Sequence, residues 1–125
     1  MPHTSALGKK GEDQAVEFLE KAGIKIISKN FRSKYGEIDI IAIDKEAIVF
    51  IEVKAWSAFG FENLQYGLDT RKQHKIIKTA KYFLFENRKY SNMAIRFDVI
   101  FVNTRYQISP ENQINHLVSA FTERV

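Results

Sequence analysis

Residues Gly36 to Lys54, GEIDIIAIDKEAIVFIEVK, decide how this chain folds. The segments 37–43 (EIDIIAI) and 47–54 (AIVFIEVK) are rich in β-branched side chains and read as two strands. Asp44, Lys45 and Glu46 leave room between them only for a hairpin turn. A loop centred on Lys45 and Glu46 sets Asp39 opposite Glu52 and Glu37 opposite Lys54. Side chains alternate faces along a strand, so these four charges project from one side. Ile38, Ile40, Ala42, Val49, Ile51 and Val53 make the other side wholly apolar. Toward the turn the charged side becomes apolar as well, through Ile41, Ile43, Ile48 and Phe50. The hairpin is therefore expected to be buried on both faces, with charge gathered at one end.

That charged end is awkward. Directly opposed side chains on neighbouring strands have Cβ atoms roughly 4.5–5.5 Å apart, and like charges there are destabilising. Asp39 facing Glu52 is tolerable if one is protonated, if Lys54 neutralises them, or if a divalent cation sits between them. A plainer reading is a solvated patch of sheet, or a local ion-pair network of Glu37, Asp39, Glu52 and Lys54. The sharper one is a hard-metal site, which a one-residue slip of register would dismantle. Two opposed carboxylates, with a Lys two residues after the second, suit metal-assisted phosphodiester hydrolysis. Asp39 and Glu52 would hold Mg²⁺ or Mn²⁺, which prefer oxygen ligands. Such an ion lowers the pKa of a bound water and neutralises phosphoryl charge. Lys54 would orient the water or stabilise the developing charge.

The 125 residues are expected to form one domain, 1–125, with 1–6 disordered. With 45% hydrophobic residues and ten Phe, the composition is that of an ordinary soluble globular protein. No apolar run reaches membrane-spanning length and no signal-peptide layout opens the chain, so no membrane association is expected. The absence of Cys excludes disulfides, thiolate metal sites and a Cys nucleophile, and fits a cytoplasmic protein. A net charge of +4 leans toward anionic partners such as nucleic acid.

In chain order, Leu7 to Ala22 places Leu7, Ala15, Phe18, Leu19 and Ala22 at helical spacing, with Gly23 as the stop. Gly8 and Gly11 are poor helix formers and predict a late start. Glu12 lies near that start. It is either a solvated carboxylate favoured by the helix dipole or a fourth acid reaching the hairpin's charged end. Ile24 to Phe31 reads as a strand and Arg32 to Tyr35 as a polar turn. Ala55 to Asp69 fits no periodicity and carries Trp56, Phe59, Phe61 and Tyr66, which either stack on bases or plug the core. Thr70 is placed to cap a helix running to about Arg88, with Ile76, Ile77, Ala80, Phe83 and Leu84 as its apolar stripe. Arg71, Lys72, Lys75 and Lys78 lie along another face with Gln73 adjacent. A charged helix face is commonly just solvated, but this one would attract phosphates beside the proposed metal. Ile95 to Asn103 reads as a strand in which Arg96 and Asp98 pair, and Ser109, Pro110 and Asn112 as turn formers. Ile114 to Phe121 reads as a strand with a helical turn or as a short helix. The order predicts an α/β fold with a mixed sheet, containing the hairpin at about 36–54 and flanked by helices at about 8–22 and 70–88.

Gly36-Glu37-Ile38-Asp39 with Phe50-Ile51-Glu52-Val53-Lys54, then Lys72-Gln73-His74-Lys75 leading to Thr79-Ala80, Arg96-Phe97-Asp98-Val99 and a closing Ala120-Phe121, resemble the bacterial YraN-like family. The resemblance covers nearly the whole chain from about Gly8. It implies the restriction-endonuclease-like PD-(D/E)XK fold, similar to archaeal Holliday-junction resolvases. It also implies an active site of Asp39, Glu52 and Lys54, with Glu12 joining from the first helix and Gln73 matching an accessory polar residue. Ile38 stands where the superfamily commonly has Pro. The implied activity is endonucleolytic cleavage of DNA rather than RNA, with branched or damaged structures among the candidates. The implied cofactor is Mg²⁺ or Mn²⁺, and a homodimer is left open. A catalytically silent nucleic-acid-binding module of the same fold is the alternative.

Overall fold

The computed structural model describes residues 6–56, 69–103 and 113–123. Helix α1 (Ala6–Lys21) leads into the strands β1 (Lys25–Ser33), β2 (Gly36–Asp44) and β3 (Ala47–Trp56). Helix α2 (Thr70–Glu86) and a short 3-10 helix (Arg88–Tyr90) follow, then β4 (Ala94–Asn103) and β5 (Ile114–Phe121). The strands form one sheet in the order β1-β2-β3-β4-β5. Among the described strands β3 and β4 run parallel and the other neighbours are antiparallel. This is the mixed α/β sheet with flanking helices expected from the sequence, and it is consistent with a restriction-endonuclease-like core. Among the described residues no helix is long and apolar enough to cross a membrane.

The sheet is buried on both faces, which is why β2, β3 and β4 read as near-continuous apolar runs. On one face α2 supplies Ile76, Ile77, Ala80 and Phe83, packed with Ile41, Ile48, Phe50, Phe97, Val99 and Phe101. On the other, α1 supplies Ala15 and Leu19, packed with Ile40, Ala42, Val49, Ile51, Ile100 and Val102. The helix ends are fixed by local chemistry. Gly23, at φ 85°, ends α1: its N–H donates to Glu20 O and the Ile24 N–H to Leu19 O, both at 3.0 Å, a pattern that favours glycine.

Several local expectations change. Helix α1 begins at Ala6, earlier than Gly8 and Gly11 suggested, because Gly11 is wanted for closeness rather than flexibility. A Cβ built there would stand 2.5 Å from Ala55 Cβ on β3. Strand β1 runs on to Ser33, so the turn is only Lys34-Tyr35. The cap of α2 is Asp69, whose carboxylate accepts the Lys72 N–H at 2.8 Å, so Thr70 is the first helical residue rather than the cap. That helix ends at Glu86, two residues short of Arg88. Residues 114–121 form a strand, paired antiparallel with β4. Of residues 1–6, expected to be disordered, Ala6 is helical and 1–5 lie outside the described residues, as do the aromatics Phe59, Phe61 and Tyr66 and the turn formers Ser109, Pro110 and Asn112; Ala55 and Trp56 belong to β3.

Candidate active site

The β2–β3 ladder has the register of a loop centred on Lys45 and Glu46, from Asp44↔Ala47 to Ile40↔Ile51. There it stops. One step further on, the Val53 N–H donates to Asp39 Oδ2 at 2.8 Å, a side chain where a strand partner would otherwise be. Strand β3 nevertheless stays paired with β4 as far as Trp56↔Asn103. β2 therefore parts from β3 at the acidic pair. Ile38 packs with Ile41 and Phe50 on the α2 face instead of with Ile40, so strict alternation breaks across Asp39. This corrects the expectation of one wholly apolar face. Glu37 also has a different neighbour from the Lys54 expected: it lies across from Arg32 in the β1–β2 ladder, with Nε 3.8 Å from Oε2.

Asp39 and Glu52 do meet at this parting, near enough for the charge of one to act on the other. Burial, and then the charge of Glu52, push Asp39 from 3.8 up to about 8; the Val53 N–H works against this, and the Glu12 charge adds to it. Glu12 lies in the same field. Burial raises its pKa, a hydrogen bond with Asn30 lowers it, and Glu37, Glu52 and Asp13 push it up, for a net rise. Lys54 is held below its ordinary value by burial and then by the neighbouring Lys72, with Glu52 and Asp39 opposing. Lys72 Nζ lies 2.8 Å from Glu52 Oε2. Burial alone would lower the pKa of Lys72, but the hydrogen bond and charge of Glu52, with Lys54 and Asp39, leave it raised.

The structure thus brings Glu12, Asp39, Glu52 and Lys54 near one another, together with Lys72 and Asn30. Asn30 sits on β1 at φ 54° and carried no sequence signal. Lys72 did carry one. The buried residues Ile76, Thr79 and Phe83 continue its side of α2 at helical spacing, which turns Lys72 toward the sheet. Lys72 therefore leaves the basic stripe in which it was expected. Arg71, Lys75 and Lys78 remain there, joined by His74 and Lys81, and with Ile77 and Glu123 they line a groove of about 420 Å³. Gln73 is half-buried beside Lys72 in the first turn.

Among the described residues no three His, Asp or Glu side chains are gathered as a ready-made metal cage. An opposed carboxylate pair is nonetheless a donor set that suits Mg²⁺, which is typically held by one or two carboxylates with waters and substrate phosphates completing its shell. The repulsion stored between Asp39 and Glu52 is what such an ion would relieve.

A second acidic centre lies across β4 and β5. Asp98 is fully buried and accepts from Arg96 Nη2 at 2.9 Å, Arg96 Nε at 3.0 Å and the Ser119 N–H at 3.0 Å, with His116 Nε2 at 2.7 Å. Arg96 Nη1 reaches Asp44 at 3.0 Å. The Arg96–Asp98 pair expected from the sequence is thus formed, inside a larger network. Burial alone would raise Asp98, but bonds from His116, Arg96 and Ser119, with the Arg96 charge, hold it below the usual carboxylate value.

Comparison with known proteins places the chain. The family described as "Uncharacterised protein family UPF0102" matches residues 11–102, which hold the whole acidic site and the α2 stripe. A UPF0102 protein of Treponema denticola is 43% identical over 123 residues, covering 93% of this chain and 95% of the relative. One from Clostridium perfringens is 44% identical over 119 residues, covering 95% and 96%. Another, from Persephonella marina, is 41% identical over 114 residues, covering 91% of each. The chain belongs to the UPF0102 family.

Proposed function

We propose that this protein is a metal-dependent endonuclease of the PD-(D/E)XK type, with the YraN-like kinship that its motifs suggest, acting on DNA. The observation that carries the reading is the meeting of Asp39 and Glu52 where β2 parts from β3, buried and mutually repelling, with Lys54 beside them. Asp39 and Glu52 would hold Mg²⁺ or Mn²⁺. When bound, the ion supplies a water of lowered pKa and neutralises charge on the phosphoryl oxygens. The part of Lys54 is to orient a water or to stabilise charge developing on the phosphate. Its depressed pKa brings it nearer to the neutral amine that a proton acceptor needs. Glu12 adds negative charge behind Asp39, which strengthens the pocket's attraction for positive charge. Arg71, Lys75 and Lys78 would hold the phosphate backbone along α2.

The test is cleavage of plasmid and branched DNA with and without Mg²⁺ or Mn²⁺. The parent is expected to cleave only with metal, and Asp39→Asn and Glu52→Gln are expected to lose at least about a hundredfold in rate while melting cooperatively. Metal-independent cleavage that survives in both variants removes the assignment.

The α2 groove favours a second reading, a module that binds nucleic acid without chemistry. It predicts binding that weakens steeply with salt and on replacing Arg71, Lys75 and Lys78, with no turnover on any substrate.

A further inference from the structure

We propose that Lys72 is the resident counter-cation of the acidic pair: its ammonium and an incoming divalent ion compete for the Glu52 carboxylate, and the ion's arrival releases Lys72 toward solvent. This rests on the reading that Asp39 and Glu52 hold a divalent ion, and it adds how access to that site is controlled.

The argument begins with an asymmetry. Lys72 Nζ bonds Glu52 Oε2 at 2.8 Å, yet the Glu52 side chain is 10% exposed and that of Lys72 44%. Glu52 stands on a central strand, paired with Val99 of β4, and its side chain is enclosed. Lys72 approaches from the rim on a flexible four-carbon stem. Its backbone is anchored separately, since the Lys72 N–H is bound by the Asp69 cap. Its ammonium can therefore leave without disturbing α2, whereas the carboxylate cannot move away from it.

A divalent ion on the same carboxylate would face a positive charge already in hydrogen-bond contact. Lys54 neighbours Nζ, and with the Lys72 side chain 44% exposed the open route is toward solvent. There, the neighbouring cations Arg71 and Lys75 already line the α2 groove. Loading of the pair would thus be coupled to presentation of one more cation on the face proposed to meet phosphate. Without an ion, Lys72 offsets part of the Asp39–Glu52 repulsion and keeps the site assembled.

The test is calorimetric titration of Mn²⁺ into the full chain, for the parent, Lys72→Met, Lys72→Arg and Asp39→Asn. Lys72→Met is expected to bind Mn²⁺ about tenfold more tightly, the scale of one charge-assisted hydrogen bond. Lys72→Arg is expected to bind no more tightly than the parent, because a guanidinium also holds the carboxylate. Lysine acetylation of the parent, read by mass spectrometry, gives an independent readout that needs no variant. Lys72 is expected to react faster in saturating Mn²⁺ relative to Lys78. Unchanged Mn²⁺ affinity in Lys72→Met, or Lys72 acetylation indifferent to Mn²⁺, overturns the proposal. If Asp39→Asn loses Mn²⁺ while Lys72→Met matches the parent, only the competition fails. If Asp39→Asn binds as the parent does, the metal reading falls and takes this proposal with it.

Discussion

Asp98 and Asp39 are both carboxylates on interior strands of one sheet, and the protein treats them in opposite ways. Around Asp98 it places a guanidinium, an imidazole and a backbone N–H, so the ionised form is stabilised despite complete burial. Around Asp39 it places one N–H and two further carboxylates, and the ionised form is penalised. Burial acts in the same direction on both and cannot account for the difference. What differs is the company. A buried acid supplied with partners ties strands together, whereas one supplied with competitors has its ionised form penalised, and it is on that contrast that the proposed metal site rests.

The largest effect that would break this comparison is on stability. Asp98→Asn removes the charge that Arg96 and His116 converge on, and should cost about 3–5 kcal/mol in urea unfolding at neutral pH. Asp39→Asn, which replaces an acid that must take up a proton to fold by a side chain already neutral, should leave stability unchanged or raise it. Equal losses in the two variants would show that both acids are structural.

The next effect is on pH dependence, where the two residues act with opposite signs. The folded-state value of Asp39, about 8, lies above the ordinary 3.8, so between these values the native state keeps a proton that the unfolded chain has lost. Its contribution to stability is full below 3.8 and is lost as pH rises through about 8, at no more than about 1.4 kcal/mol per pH unit. The folded value of Asp98 is lowered, so its contribution is present above 3.8 and lost as pH falls through that lower value. Urea midpoints measured across this range should show the decline between pH 3.8 and about 8 in the parent and its disappearance in Asp39→Asn, with the acid decline kept.

The smallest effect sharpens the account of the company Asp39 keeps. Glu12→Gln removes one repulsive charge, and should lower the Asp39 titration midpoint by less than about one pH unit, read by carboxyl ¹³C NMR. An unmoved midpoint would place Glu12 outside the site's field.

The sequence made the frame legible and left its exceptions hidden. The turn at Lys45 and Glu46 and the alternation around it set the β2–β3 register, because a slip would have turned every side chain of one strand to the opposite face and parted Asp39 from Glu52. The end of that ladder at Ile40↔Ile51 follows from Asp39 capturing the Val53 N–H, a tertiary event that no periodicity records. The Arg96–Asp98 pair was visible because two residues on one strand share a face. Its completion by Asp44, His116 and Ser119 needed the strand order. The cap of α2 was missed by one position because Asp69 and Thr70 are both capable of the role, and only geometry chooses between them. Lys72 was assigned by its charge to the solvent stripe, although its spacing from Ile76 and Phe83 pointed inward.

Gly11 shows how little material the arrangement can depend on. With the glycine hydrogen already against Ala55, α1 and β3 touch almost backbone to backbone, and the next residue along, Glu12, inherits that nearness. A single added methyl group would act as a wedge, tilting the acid away from its neighbours without altering any charged residue. The acidic cluster is therefore open to disruption from a position that carries no charge at all.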